Sequence, residues 1–150
     1  MEKFPEPEEQ ENSGETAVLE KEEGYEADML RLYFGIKEKA GDSPETEEFL
    51  LQVEEASLRY EHSIARIEKG GLEGWERDDI AAADERRRTI HNALMADIDI
   101  LARIFESKGL DTSWKRMIGL TRDEIGNWAL IVAKHLRKLV KETYEKRQAS

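Results

Sequence analysis

Between Asp84 and Asp97 the chain reads DERRRTIHNALMAD, and this stretch holds the densest set of side chains able to do chemistry. On a helix, residues three or four apart share a side, so Asp84, Arg87, Arg88, His91 and Asn92 can interact with one another. Counting by sevens from Ile80 gives Arg87, Leu94 and Leu101, and the companion series gives Ile90, Asp97 and Ile104. Arg87 and Asp97 thus fall in the apolar phase, where an unpaired charge is costly to bury. Two arrangements meet that cost. In one, Arg87 or Arg88 pairs with Asp84 and with acids of the preceding helix, Asp99 pairs with Arg103, and His91 lies at the edge of the core. In the other, Arg87, Arg88, His91, Asn92 and Asp97 form a polar binding pocket between helices. There the arginines would bind phosphate or carboxylate through two parallel hydrogen bonds, and a histidine kept neutral by its cationic neighbours could act as a general base.

These residues need a helix to hold them, and the punctuation of the chain supplies several. The spacing of Tyr25, Met29, Leu32 and Ile36 predicts a first helix from about Thr16 to Ala40, stopped by Gly41. A second opens with Ser43 as cap, Pro44 at its first position and an acidic first turn. It runs to Lys69 before Gly70-Gly71. Its stripe Leu50, Val53, Ser57, Tyr60, Ile64 and Ile67 alternates threes and fours, the pattern of packing against a neighbour. A partial second stripe, Leu51, Leu58 and Ala65, predicts cover on two sides or a homodimer formed through this helix. The third helix, about Trp75 to Lys108, carries the arginines and His91. A short helix with Trp114, Met117 and Ile118 follows and should plug an end of the bundle. The last helix starts from the capping box Thr121…Glu124 and presents Ile125, Trp128, Val132, Leu136 and Leu139 inward. The expected fold is all-α: an antiparallel four-helix bundle with a short extra helix before the last long one. The three tryptophans are expected to anchor the core and its ends.

Composition narrows the function classes. A chain of 150 residues without cysteine has no disulfide, thiolate metal site or cysteine nucleophile. Residues 1–23 carry nine acids against two lysines; residues 1–15 read as a disordered acidic tail and 16–150 as one helical domain. A net charge of −11 disfavours nucleic acid, whose backbone is bound mainly by lysine and arginine. From Ser113 onward, however, nine bases face four acids, a basic end expected to lie against acidic helices of the same bundle. No run of about 18 apolar residues is present, so the expectation is a cytoplasmic protein without membrane contact.

Three resemblances attach to particular residues. Arg86 and His91, with four residues between them, resemble the R-x4-6-H motif of HEPN-type ribonucleases, which implies metal-independent RNA cleavage with those two as catalytic residues. Glu22-Glu23 with Glu26, and Glu76 with Asp79, resemble the EExxE and ExxD signatures of all-α nucleotide pyrophosphohydrolases, which would imply carboxylate-held magnesium. With 34 acids in the chain, any three-acid pattern arises about twice by chance. The stretch RRTIHNALMADIDILARI is similar to a bacterial family of small all-α proteins of unknown function, carrying R-R-x-x-H-N-x-L and then L-x-R. That similarity implies a helical fold and a motif centred on Arg87, Arg88, His91, Asn92 and Arg103, and brings no activity. Neither histidine three residues after a glutamate nor a glycine-rich phosphate loop occurs, so no cofactor and no metal are expected. The sequence reading is a small regulatory or interaction module with an unknown protein partner.

Overall fold

A computed structural model describes residues 24–149; the acidic tail, the start at Thr16 and Glu22-Glu23 lie outside the described residues. Within them the chain is all-α: α1 (Tyr25–Ala40), α2 (Pro44–Leu72), α3 (Arg77–Ser107), α4 (Ser113–Ile118) and α5 (Arg122–Ala149). No helix among them is long and apolar enough to cross a membrane.

Helix α2 is the hub, packed along its length on α3 and across α5, with α1 lying on both α2 and α5. It starts as its sequence dictates. Ser43 is extended, its Oγ accepts the Thr46 amide at 3.3 Å, and Pro44 fills the first turn. Buried Thr46 donates to the Ala40 carbonyl at 2.6 Å, which ties the α1–α2 corner. The pairs Glu45–Lys108, Tyr60–His91 and Gly70–Trp75 show α2 and α3 running antiparallel.

The core is one cluster built on Tyr33, Ile36, Val53, Leu94, Leu101, Phe105, Trp128 and Val132. Helix α5 approaches α2 closely because its contact face is small, with Gly126, Ala129 and Ala133 buried. A Cβ on Gly126 would come within 2.8 Å of the Tyr60 hydroxyl. Phe105 and Trp114 meet edge to face at 5.4 Å, so α4 seals the C-terminal end of α3. Gly109, at φ 73°, reverses the chain between them, and Leu110 donates back to the Phe105 carbonyl at 2.9 Å.

Several expected boundaries and faces differ. Gly70-Gly71 does not stop α2, which continues to Leu72. Gly70 is there because the Trp75 indole lies on it, at 2.5 Å from where a Cβ would stand. Trp75 itself precedes α3 and is only partly buried, with Arg66 over its ring at 5.2 Å. Tyr25, Met117 and Leu139 are exposed, whereas Trp114 and Trp128 are buried as expected. Asp99 pairs with Lys115 of α4 at 2.6 Å, not with Arg103, because the loop after α3 folds back along it.

Candidate functional site

The α3 stripe that enters the core is Ala83, His91, Leu94, Ile98, Leu101 and Phe105, with Arg87 half-buried in the same row. The second inward row is His91, Ile98 and Phe105, one position on from Ile90, Asp97 and Ile104, which are only partly buried. Asp97 sits at the boundary beside α2. Burial raises its carboxyl above the usual range, and the charge of Arg59 partly offsets that.

His91 is 3% exposed. Its ring tilts against Tyr60 at 5.3 Å, and Nε2 lies 3.0 Å from the carbonyl oxygen of Arg122. A carbonyl only accepts, so Nε2 carries a proton and donates. This bond fixes where α5 begins, because Arg122 is its first residue. The capping box completes that start: Thr121 Oγ1 accepts the Glu124 amide at 3.2 Å, and Glu124 Oε1 accepts the amides of Thr121 and Leu120. Those amides hold the Glu124 carboxyl below the usual carboxylate range.

Around this junction lies a polar cleft of about 120 Å³, lined by Tyr60, Arg87, Arg88, His91, Arg122 and Asp123. Arg87 Nε donates to Asp84 Oδ1 at 2.9 Å, and Arg88 Nε lies 3.6 Å from Asp84 Oδ2. One carboxylate therefore serves both arginines, and it reinforces the positive charge on Arg87. No acid of α2 joins them among the described ion pairs. Acids of α2 pair elsewhere: Glu45 with Lys108, and Glu61 with Arg137 of α5. Part of the basic C-terminal end is thus neutralised within the bundle, as its sequence suggested.

Of the predicted set, Arg87, Arg88 and His91 come together, while Asn92 is exposed and neither it nor Asp97 lines the cleft. Arg86 is separated from His91. It lines a second, shallower cleft of about 320 Å³ with Arg66, Trp75 and Asp79, since five residues turn a helix by roughly 140°. Among the described residues no group of three His, Asp or Glu side chains is placed to hold a metal ion.

Sequence reasoning missed Tyr60, Arg122 and Asp123. Tyr60 looked like one more core position of α2, and the capping box located the start of α5 without saying what it touches. Also missed was His135, 8% exposed and packed edge-on against Tyr33 and Phe34. Burial, then Lys37 and Lys138, push its pKa below the ordinary histidine value, against the opposite pull of Glu142.

A third surface is apolar. The last buried residue of α5 is His135, yet the helix continues to Ala149, about 21 Å further. Val140 and Tyr144 on this extension are 70% and 63% exposed. With Leu58, Leu136, Arg137 and Lys141 they border an open groove of about 550 Å³ between α2 and α5. No known protein family, curated protein or solved structure matches the chain.

Proposed function

We propose that this protein works by docking rather than by chemistry, as a regulatory or interaction module that assembles with a second copy of itself through α2 and α5. The observation that carries the reading is the unpartnered apolar face of α5, which extends past the core beside Leu58. An isolated helix end with Val140 and Tyr144 in water gains little from helix formation alone, so its apolar side is suited to a partner surface.

Charge selects the occupant. Setting aside Arg137–Glu61 and Glu45–Lys108, which pair within one protomer, residues 134–149 carry five bases and two acids, whereas residues 44–61 of α2 carry four acids and one base. Leu51, on the outer face of α2, is 52% exposed. A twofold arrangement lays the basic end of α5 from one protomer on the acidic outer face of α2 in the other, and the reverse contact follows by symmetry. Leu51 and Leu58 then meet Val140 and Tyr144 inside a charged rim. This is the association through the second helix that its double stripe suggests.

Sedimentation equilibrium tests it. The full chain is expected at twice its 17.3 kDa mass, with dissociation favoured by salt because the rim charges are screened. Val140→Asp and Leu51→Asp are expected to give monomers with unchanged circular dichroism. A wild-type chain that stays monomeric at concentrations where an interface of about 800 Å² per partner would form sinks the proposal.

A further inference from the structure

We infer that the cleft between α3 and the first turn of α5 binds a single tetrahedral oxyanion of phosphate size. Three arginines from two elements line it: Arg87 and Arg88 from α3, and Arg122 from α5. Three carboxylates stand against them: Asp84, shared by Arg87 and Arg88, Glu85, 3.9 Å from Arg88 Nη1 and largely exposed, and Asp123 on the lining. Of these only Asp123 lines the cleft, so the opening itself is bordered by three guanidinium groups and one carboxylate. Three guanidinium groups brought around one small opening repel each other unless something negative completes the set.

The geometry favours an anion over a further protein side chain. Both contacts to Asp84 are made through Nε, while Arg87 also engages the Tyr60 hydroxyl and Arg88 Nη1 lies 3.9 Å from Glu85 at the exposed rim. Guanidinium Nη groups match the oxygens of a phosphate in pairs. The volume of about 120 Å³ corresponds to roughly four waters at about 30 Å³ each, enough for one five-atom oxyanion and too little for a nucleotide base beside it. The cleft is also held in shape by contacts that do not involve the arginine side chains. His91 bonds the backbone carbonyl of Arg122 at 3.0 Å, and Gly126 admits the Tyr60 hydroxyl against α5. The proposal stands apart from dimerisation, since the cleft and the α2–α5 groove share no lining residue.

The test is a titration of the full chain with sodium phosphate against sodium chloride at equal ionic strength, followed through backbone amide resonances. Saturable shifts are expected at His91, Arg122 and Asp123. Arg88→Gln and Arg122→Gln change exposed side chains and leave the His91–carbonyl bond in place; each is expected to weaken phosphate binding about tenfold, the loss of one charge-assisted hydrogen bond. Arg116→Gln, on the exposed side of α4, serves as the control and is expected to change nothing. Phenyl phosphate separates the two sources of such an anion: binding of both probes indicates the phosphoryl end of a larger ligand, and binding of inorganic phosphate alone indicates the free ion. Absence of saturable shifts with either probe overturns the inference, as does equal affinity in wild type and both glutamine variants.

Discussion

The neighbouring glycines Gly70 and Gly71 offer a sharp test of how the α2–α3 corner is built. Both lie in the last turn of α2, and both replacements by alanine recover helix propensity, at most about 1 kcal/mol each and less near a fraying end. Their surroundings differ. A Cβ on Gly71 meets nothing within 4 Å, whereas one on Gly70 would stand 2.5 and 2.8 Å from two atoms of the Trp75 ring. Ordinary carbon contact begins near 3.5 Å, so the indole must move by about 1 Å. That ring is held by Arg66 on one side and by its Nε1 bond to Glu73 at 3.1 Å. Overpacking of this kind costs about 1–3 kcal/mol. Gly71→Ala is therefore expected to stabilise by roughly 0.5–1 kcal/mol. Gly70→Ala is expected to destabilise by about 0.5–2 kcal/mol net, the propensity gain offsetting part of the clash. In urea titrations followed by far-ultraviolet dichroism the two midpoints should move in opposite directions, and only Gly70→Ala should alter tryptophan emission. If Gly70→Ala proves as stable as Gly71→Ala, the indole does not rest on that glycine and the account of the corner is wrong.

Two further outcomes follow from single contacts. Because the folded-state pKa of His135 lies below its unfolded value of about 6.5, the unfolded chain binds more protons between those values. Stability is then full above pH 6.5 and falls as the pH is lowered toward the folded pKa; His135→Gln should flatten that part of the profile in urea titrations between pH 5 and 7.5, and an unchanged slope would remove the assignment. Thr121→Ala deletes the side-chain half of the α5 capping box and is expected to cost about 1 kcal/mol by chemical denaturation, while a loss below about 0.3 kcal/mol would mean that Glu124 alone caps the helix.

Helix identities and most starts were legible because they depend on neighbours in sequence. Ser43-Pro44 and Thr121…Glu124 act within one turn, and the three-four spacing in α2 places Leu50, Val53 and Tyr60 inward whatever they meet. The site was half legible for the same reason. Arg87, Arg88 and His91 share one side of α3, so their proximity is a property of helical period, and so is the pairing of both arginines with Asp84. Asn92 was grouped with them by its four-residue spacing from Arg88, and Asp97 by its place in the row Ile90, Asp97 and Ile104, which lies one position away from the buried row His91, Ile98 and Phe105.

What the linear pattern could not carry was contact between distant segments. Tyr60, His91 and Arg122 meet only because the loop after α3 returns along that helix and starts α5 beside its middle. The Gly70–Trp75 stack likewise turned an apparent stop signal into a packing contact. The amino-acid sequence alone determined the helices, their caps and the side of α3 on which the arginines stand, since those follow from forces acting over one or two turns. Tertiary structure decided which charges Asp99 and Glu61 answer, which apolar residues of α5 remain uncovered, and that three arginines enclose a cleft, because each of these depends on where one helix crosses another.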